Sequence, residues 1–256
     1  MSTLPLRPSF NAVLSLCRVS NLPTVWMNVL TAAALSGGVS DAVWEDAGNS
    51  QAAAPALLVV LLAFALSCFY CGGMALNDLC DLEHDRLHQR YRPIPAGRIT
   101  AGHARAVTLA LFASALACLL PVPHRAGLVA GVMLLFVIWV YDHFHKRHRS
   151  TVFAMAGARL LVYVVTAFAL TGGISTVVGI AAFVQAAYVL LLTVVARHEG
   201  HTAAGRYRWP VIPWMLAAMP LLDGVVLAVL ADPAWLLVGV VGTGLTCAGQ
   251  RYVRGD

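Results

Sequence analysis

Asn77, Asp78, Asp81 and Asp85 make a run of the form Asn-Asp-x-x-Asp-x-x-x-Asp in a chain that holds only 12 acidic residues. On a helix advancing about 100° per residue, Asn77, Asp81 and Asp85 fall within about 80° of one another, and Asp78 lies about 20° further round. His84 and His88 flank that arc, and Glu83 points away from it. Carboxylates on one stripe repel one another. Here they also sit at the C-terminal end of an apolar run, where the helix macrodipole opposes negative charge. Something cationic must offset that cost. An oxygen-rich set of this kind suits a hard ion such as Mg²⁺; the plainer alternative is a solvated acidic helix end paired with Arg86, Arg90 and Arg92. The segment that follows, Arg92-Pro93-x-Pro95-x-Gly97-Arg98, joins arginines to residues that fix a loop. Acid followed by base is the composition needed to hold a metal and the phosphates it bridges.

Other polar residues stand out against the apolar background. Arg197-His198-Glu199 closes a second long apolar run. Glu199 is a candidate metal ligand there, although a lone carboxylate clamps magnesium poorly; His198 and His201 suit either a softer metal or an interfacial position. Arg159 lies inside a hydrophobic run, roughly 12 Å along the helix from its nearer polar end. A charge at that depth faces a cavity or a partner, and Asp223 and Gln185 are the internal candidates for a brace. Cys68-x-x-Cys71 has the spacing of a metal or redox pair, but it lacks a second pair and reads as small apolar packing; no disulfide is implied.

The elements that must position these residues are membrane helices. Of the 256 residues 59% are hydrophobic and 11% charged, with a mean hydropathy of +0.76. A soluble domain carries about 25% charge, so most of this chain cannot face water. The fold class is all-α: a polytopic helical bundle with about eight transmembrane helices, predicted over 22–38, 55–76, 104–120, 126–142, 152–171, 174–197, 210–230 and 234–250. Of the 17 lysines and arginines, Arg125 alone falls on one side and Arg159 inside a span, while the rest fall on the other side. The positive-inside rule then places both termini in the cytoplasm, in a multi-pass protein of the cell (inner) membrane, and explains the net charge of +5 without a nucleic-acid partner. The polar connections 77–103, 143–151 and 198–209 lie on the cytoplasmic side, and the opposite turns are thin, apart from a solvated loop at 39–54. No hydrophilic block is long enough to fold separately, so residues 1–256 read as one membrane domain.

With these elements in place, Asn77-Asp78-x-x-Asp81-x-x-x-Asp85 followed by Arg92-Pro93-x-Pro95-x-Gly97-Arg98-Ile99 resembles the first motif of the UbiA superfamily of intramembrane prenyltransferases. The resemblance extends to the helix count, to Asn28 in the first span, and to Tyr141-Asp142-x-x-x-Lys146 after the fourth. It implies an alkyl (prenyl) transferase in which Mg²⁺ grips the diphosphate of an isoprenoid donor, whose allylic carbon alkylates an acceptor of unspecified identity. Carried over by position, Asn77, Asp78, Asp81 and Asp85 form the first metal site, with Glu199 the counterpart at the second. Asp78, Asp81, Asp85 and Lys146 are the catalytic candidates; Asn28, Asn77, Arg92, Arg98, Arg159, Arg197 and Glu199 are the substrate-binding ones. The chain departs from the family pattern where a second aspartate motif should stand, since Arg197-His198-Glu199 offers one carboxylate. Arg159 together with that triplet is similar to the EboC-like branch, which implies secondary metabolism. Two alternatives remain within the same fold: cyclisation of a prenyl diphosphate, and a carrier that binds lipid or metabolite without turnover.

Overall fold

The computed structural model describes residues 9–37, 50–144, 151–199 and 210–253. All regular structure among them is helical. In chain order the helices are α1 Phe10–Leu16, α2 Leu22–Leu35, α3 Ser50–Cys80, α4 Leu82–His88, α5 Ala101–Cys118, α6 Arg125–Phe144, α7 Thr151–Thr171, α8 Thr176–Glu199, α9 Val211–Ala217, α10 Met219–Leu230 and α11 Trp235–Gln250, with a 3₁₀ turn at Val19–Asn21 before α2.

Every predicted span has a helical counterpart, but the lengths differ. Among the described residues, six segments are long and apolar enough to cross a membrane: Pro55–Cys80, α5, α6, α7, Thr176–His198, and α9 with α10. The last of these breaks at Ala218, one residue before α10 begins with Pro220 in its first turn, where the missing N–H costs no hydrogen bond. The 14 residues of α2 reach roughly 21 Å, short of the ~30 Å of bilayer hydrocarbon. Its position explains this. It packs against α3, α7, α8, α10 and α11, so neighbouring helices surround it. Shielded in this way, α2 carries Thr24, Asn28 and Thr31 fully buried. By contrast α3, with 31 residues, reaches roughly 46 Å and carries its polar C-terminal end beyond the apolar layer.

Phe69, Leu62 and Leu66 of α3 pack with Val25 and Val29 of α2, Leu134 of α6 and Val165 of α7 to form the main core. Many large apolar side chains point outward instead, among them Leu109, Phe136, Phe153, Phe183, Val229 and Leu237. On a water-soluble surface such an area would drive association; here it is the lipid-facing side. Apolar burial gives little drive between helices in lipid, so close approach matters more. A Cβ on Gly239 of α11 would lie 2.8 Å from the Gly224 Cα of α10, and one on Gly127 of α6 would lie 2.6 Å from the Ala169 Cα of α7. At the other, arginine-rich end, Ile94 and Ile99 bury beside Ala12 and Leu16 of α1 and Ala75 of α3, pinning the loop after α4 to the bundle.

Candidate active site

The expected acidic stripe forms with one modification: the helix does not run through it unbroken. Asp81 sits between α3 and α4, although the hydrogen bonds Asp81 N–H to Asn77 C=O and Asp85 N–H to Asp81 C=O, both 2.9 Å, carry the helical register across. Asp78, Asp81 and Asp85 are buried and Glu83 is exposed, as the 100° spacing predicts, while the flanking His84 and His88 are exposed as well. Their common neighbour is Arg92. Its Nη1 lies 2.7 Å from Asp85 Oδ2, 3.2 Å from Asp78 Oδ1 and 3.9 Å from Asp81 Oδ2. Arg18 approaches from the turn before α2, its Nη2 3.4 Å from Asp78 Oδ1.

Arg92 is placed by its loop. Backbone bonds from Ala96 to Arg92 and from Arg98 to Pro93, each 3.0 Å, fold residues 92–98 into a compact turn. Gly97 takes φ +70°, a left-handed conformation that side chains with a Cβ rarely adopt. Arg98 donates from Nη2 to the Tyr91 carbonyl at 2.9 Å, and it lines, with Arg18, Asp78 and Arg92, a polar crevice beside the cluster.

Asn77 turns to a different partner. Its Nδ2 donates to Asp142 Oδ1 of α6 at 3.3 Å, so the fourth polar residue of the motif joins α6 instead of Arg92. Asp142 in turn lines an apolar cavity of about 120 Å³ walled by residues such as Phe69, Gly73, Leu134, Ile138, Val162 and Leu192. Arg159 also lines it. The Arg159 Nη1 donates to Asn28 Oδ1 at 2.9 Å; Asn28 Nδ2 donates to Asp223 Oδ2 at 2.6 Å and to Tyr163 Oη at 3.1 Å; Tyr163 donates to Asp223 Oδ1. Both readings of Arg159 therefore hold: it is braced to Asp223 by way of Asn28, and it faces a cavity. Gln185 takes no hydrogen bond in that brace.

The acid cluster fits a hard divalent ion in its chemistry. All its donors are oxygens, all three carboxylates converge on a single cationic nitrogen, and the buried Asp85 Oδ1 has no donor within hydrogen-bond distance, with His84 Nδ1 3.7 Å away. Three carboxylates against the guanidinium groups of Arg92 and Arg18 leave one formal negative charge. As folded, no three His, Cys, Asp or Glu side chains among the described residues close on one metal-sized point, because Arg92 holds the place they share.

The structure thus brings Asp78, Asp81, Asp85 and Arg92 together, sets Arg98 at the edge of the same crevice, and joins Asn77 to the neighbouring cavity. Asn28 and Arg159 belong to the deeper network. Arg197 lies at the end of α8, its Nη2 3.4 Å from Thr151 Oγ1, and His198 bonds the Val194 carbonyl. Lys146, His201 and the Glu199 side chain lie outside the described residues. Arg18 and Tyr163 were not singled out by sequence. Arg18 reads there as one more positive-inside residue, and Tyr163 as one aromatic among many, since neither lies at motif spacing from its partner.

Residues 23–254 match the UbiA prenyltransferase family. The digeranylgeranylglyceryl phosphate synthase of Ignicoccus hospitalis is 37% identical over 102 residues, 40% of this chain and 28% of that protein. The protoheme IX farnesyltransferase of Synechocystis sp. is 34% identical over 107 residues, 41% of this chain and 33% of that protein. The matched segments therefore span about a third or less of these relatives' own lengths. Over the whole fold, a UbiA homologue from Archaeoglobus fulgidus bound to GPP and Mg²⁺ superposes with a TM-score of 0.61 at 17% identity, covering 94% of this chain and 97% of that one. The family match over nearly the whole chain agrees with the all-helical bundle and with the motif from Asn77 to Asp85 at the end of the second predicted span, and the chain belongs to the UbiA prenyltransferase family.

Proposed function

We propose that this chain is a membrane prenyltransferase that moves an isoprenoid group from a prenyl diphosphate to an acceptor at the arginine-rich end of the bundle. The observation that carries this reading is a pair of unlike spaces tied together by neighbouring residues: Asp78 walls a crevice with Arg18, Arg92 and Arg98, and Asn77, next to it in the chain, bonds Asp142 in the lining of an apolar cavity. A prenyl diphosphate has those same two halves. The charge asymmetry supports a cytoplasmic orientation for that end, in the inner membrane, with residues 1–256 acting as one domain.

Asp78, Asp81 and Asp85 would hold Mg²⁺, with Asn77 and Glu199 the further ligands that the family resemblance suggests. Bound there, the ion would supply positive charge to a leaving diphosphate. Arg92, Arg98 and Arg18 offer guanidinium donors to the diphosphate oxygens, and Lys146 and Arg197 are assigned the same task by position. The allylic C–O bond breaks with its electron pair going to diphosphate, and the acceptor's nucleophile forms the new bond to carbon. The acceptor's proton passes to the released diphosphate or to Asp142, the one carboxylate lining the cavity among the described residues. Phe69, Tyr70 and Tyr141 give the developing cation aromatic surface in a space whose walls are mostly apolar. Arg159, Arg197-His198-Glu199 and the compact chain support an EboC-like affinity and a place in secondary metabolism.

Labelled prenyl diphosphates of graded length, presented with a lipid extract of the host membrane, test this reading. Label moving into an extract component, with Mg²⁺ required, supports transfer and identifies the donor length. Cyclised product without extract would replace transfer by cyclisation, and tight prenyl binding without any bond cleavage would leave only the carrier.

A further inference from the structure

His84 and His88 flank the aspartate stripe without sharing its grip on Arg92, and prenyl transfer gives them no task. They stand one turn apart on α4, both exposed, with ring centroids 4.3 Å apart and ring planes 20° from parallel. Two histidines at i and i+4 are the spacing by which one helix face offers two imidazoles to a single metal ion. Stacked rings at that spacing are also an ordinary contact on a helix surface, so spacing alone decides nothing.

The nitrogens separate the two readings. His88 Nδ1 lies 3.1 Å from the His84 carbonyl oxygen. That oxygen only accepts, so Nδ1 carries the proton, and the lone pair of the neutral ring sits on Nε2. His84 Nδ1 faces Asp85 Oδ1 at 3.7 Å, and this buried oxygen has no donor within hydrogen-bond distance. An acceptor behind Nδ1, with Nε2 left for a ligand, is how histidines hold metals: the acceptor fixes the tautomer and makes the ring more basic. His143 and His198 also bond the carbonyl one turn back, but among the described residues neither ring contacts a second imidazole. The surroundings favour a cation. The last turn of α4 presents the negative end of its dipole, and the adjacent carboxylates and guanidinium groups leave one formal negative charge. Arg90 is folded back on the Arg86 carbonyl at 3.1 Å, and Arg86 lies about 200° round the helix from His84. Imidazole ligands select a borderline transition-metal ion over Mg²⁺, so this pair and the aspartates do not compete for one ion.

We propose that His84 and His88 form a separate metal site on α4, which takes one borderline divalent ion of the Zn²⁺ or Cu²⁺ kind through both Nε2 atoms, with water completing its shell. The stacked rings tilt toward each other to converge on the ion, a rotation that their exposure leaves open. An ion on His84 Nε2 polarises the Nδ1–H, which closes on Asp85 Oδ1 and ties the site to the aspartate cluster. Cation binding at the two places is thereby coupled, each altering the other by the same factor. The order His84-Asp85-x-x-His88 does not make a hydrolytic centre, because Asp85 is turned to Arg92 and not toward an ion on the rings. The site rests on the histidine pair and holds whether or not the chain transfers a prenyl group.

The test is a Cu²⁺ titration followed by electron paramagnetic resonance, on the untagged full chain in nanodiscs with Mg²⁺ in excess. A Cys80→Ser, Cys247→Ser background keeps copper from the exposed thiols. The parent protein should bind a Cu²⁺ whose nitrogen hyperfine pattern reports two equatorial imidazoles, and excess Zn²⁺ should displace it. His84→Gln and His88→Gln should each remove the two-imidazole pattern and weaken that binding by about tenfold or more, because the second ligand is no longer held beside the first. His143→Gln should change neither. Asp85→Asn should keep two imidazoles but weaken binding by about tenfold, as loss of the acceptor behind a metal-bound histidine does. Absence of a two-imidazole signal in the parent protein overturns the proposal without any variant, so a poorly folding variant does not shelter it. A two-imidazole signal that survives in His84→Gln and His88→Gln overturns it too, since the copper then lies elsewhere. Unaltered affinity in Asp85→Asn overturns the tie to the aspartate cluster.

Discussion

Arg92 is the residue on which the site turns. Its Nη1 occupies the one point that Asp78, Asp81 and Asp85 share, so a guanidinium answers the repulsion that these side chains would otherwise impose on the end of α3. A cation entering that point must compete with it. Replacing Arg92 with Gln removes the competitor while leaving three carboxylates, and Mn²⁺ binding to the ligand-free protein, followed by electron paramagnetic resonance, should tighten by about three- to tenfold. Prenyl diphosphate binding should weaken in the same variant, because a phosphate donor is lost. Weaker Mn²⁺ binding would mean that Arg92 shapes the cluster instead of filling it. At this scale much of the site is legible in sequence, since acid, loop and base follow one another within 22 residues, from Asn77 to Arg98. What spacing cannot supply is the partner from a distant segment. Arg18 on Asp78, Asp142 on Asn77 and Asp223 on Asn28 are all tertiary pairings.

The helices hold these pairs in place through close approach at a few small residues. Gly239 is the clearest case: a Cβ there would meet Gly224 Cα at 2.8 Å and the Pro220 carbonyl oxygen at 2.9 Å, both backbone atoms that cannot swing aside. Gly239→Val should push α11 from α10 and cost about 1–3 kcal/mol, as overpacking of a tight contact does. Gly244→Val, on the same helix with nothing within 4 Å of its Cβ, should change stability by less than about 0.5 kcal/mol. Thermal unfolding in detergent measures both, and equal effects would show that the α10–α11 contact is not close in the membrane. Because Asp223 precedes Gly224, separating these helices also loosens the brace on Arg159. The positions of the long helices were legible because ~20 apolar residues are an unambiguous length signal. Their ends and breaks were less so. The early stop of α2 at Leu35, the interruption at Asp81 and the split at Ala218 depend on neighbours that hydropathy does not register.

Across the whole molecule, the ion-paired aspartates and arginines among the described residues gather at one end. The exposed Cys80 closes α3 at the arginine-rich end, and Asp232 follows α10 at the opposite end. In a background with the other cysteines replaced, a membrane-impermeant maleimide should label Cys80 in inside-out vesicles only, and a cysteine at Asp232→Cys in intact spheroplasts only. The reverse pattern would invert the orientation that the charge distribution predicts. The central claim is that the aspartates at that end would hold the Mg²⁺ on which binding and release of a prenyl donor's diphosphate depend. Mg²⁺-dependent release of inorganic diphosphate, measured with membrane extract present for the wild type, Asp81→Ala and Asp85→Asn, tests that most directly. Release by the wild type that falls by about 10²-fold or more in both variants, with folding intact, is the predicted result, in line with the loss of a main electrostatic element of a site. Undiminished release by the variants, or none by a folded wild type with any donor, would contradict it.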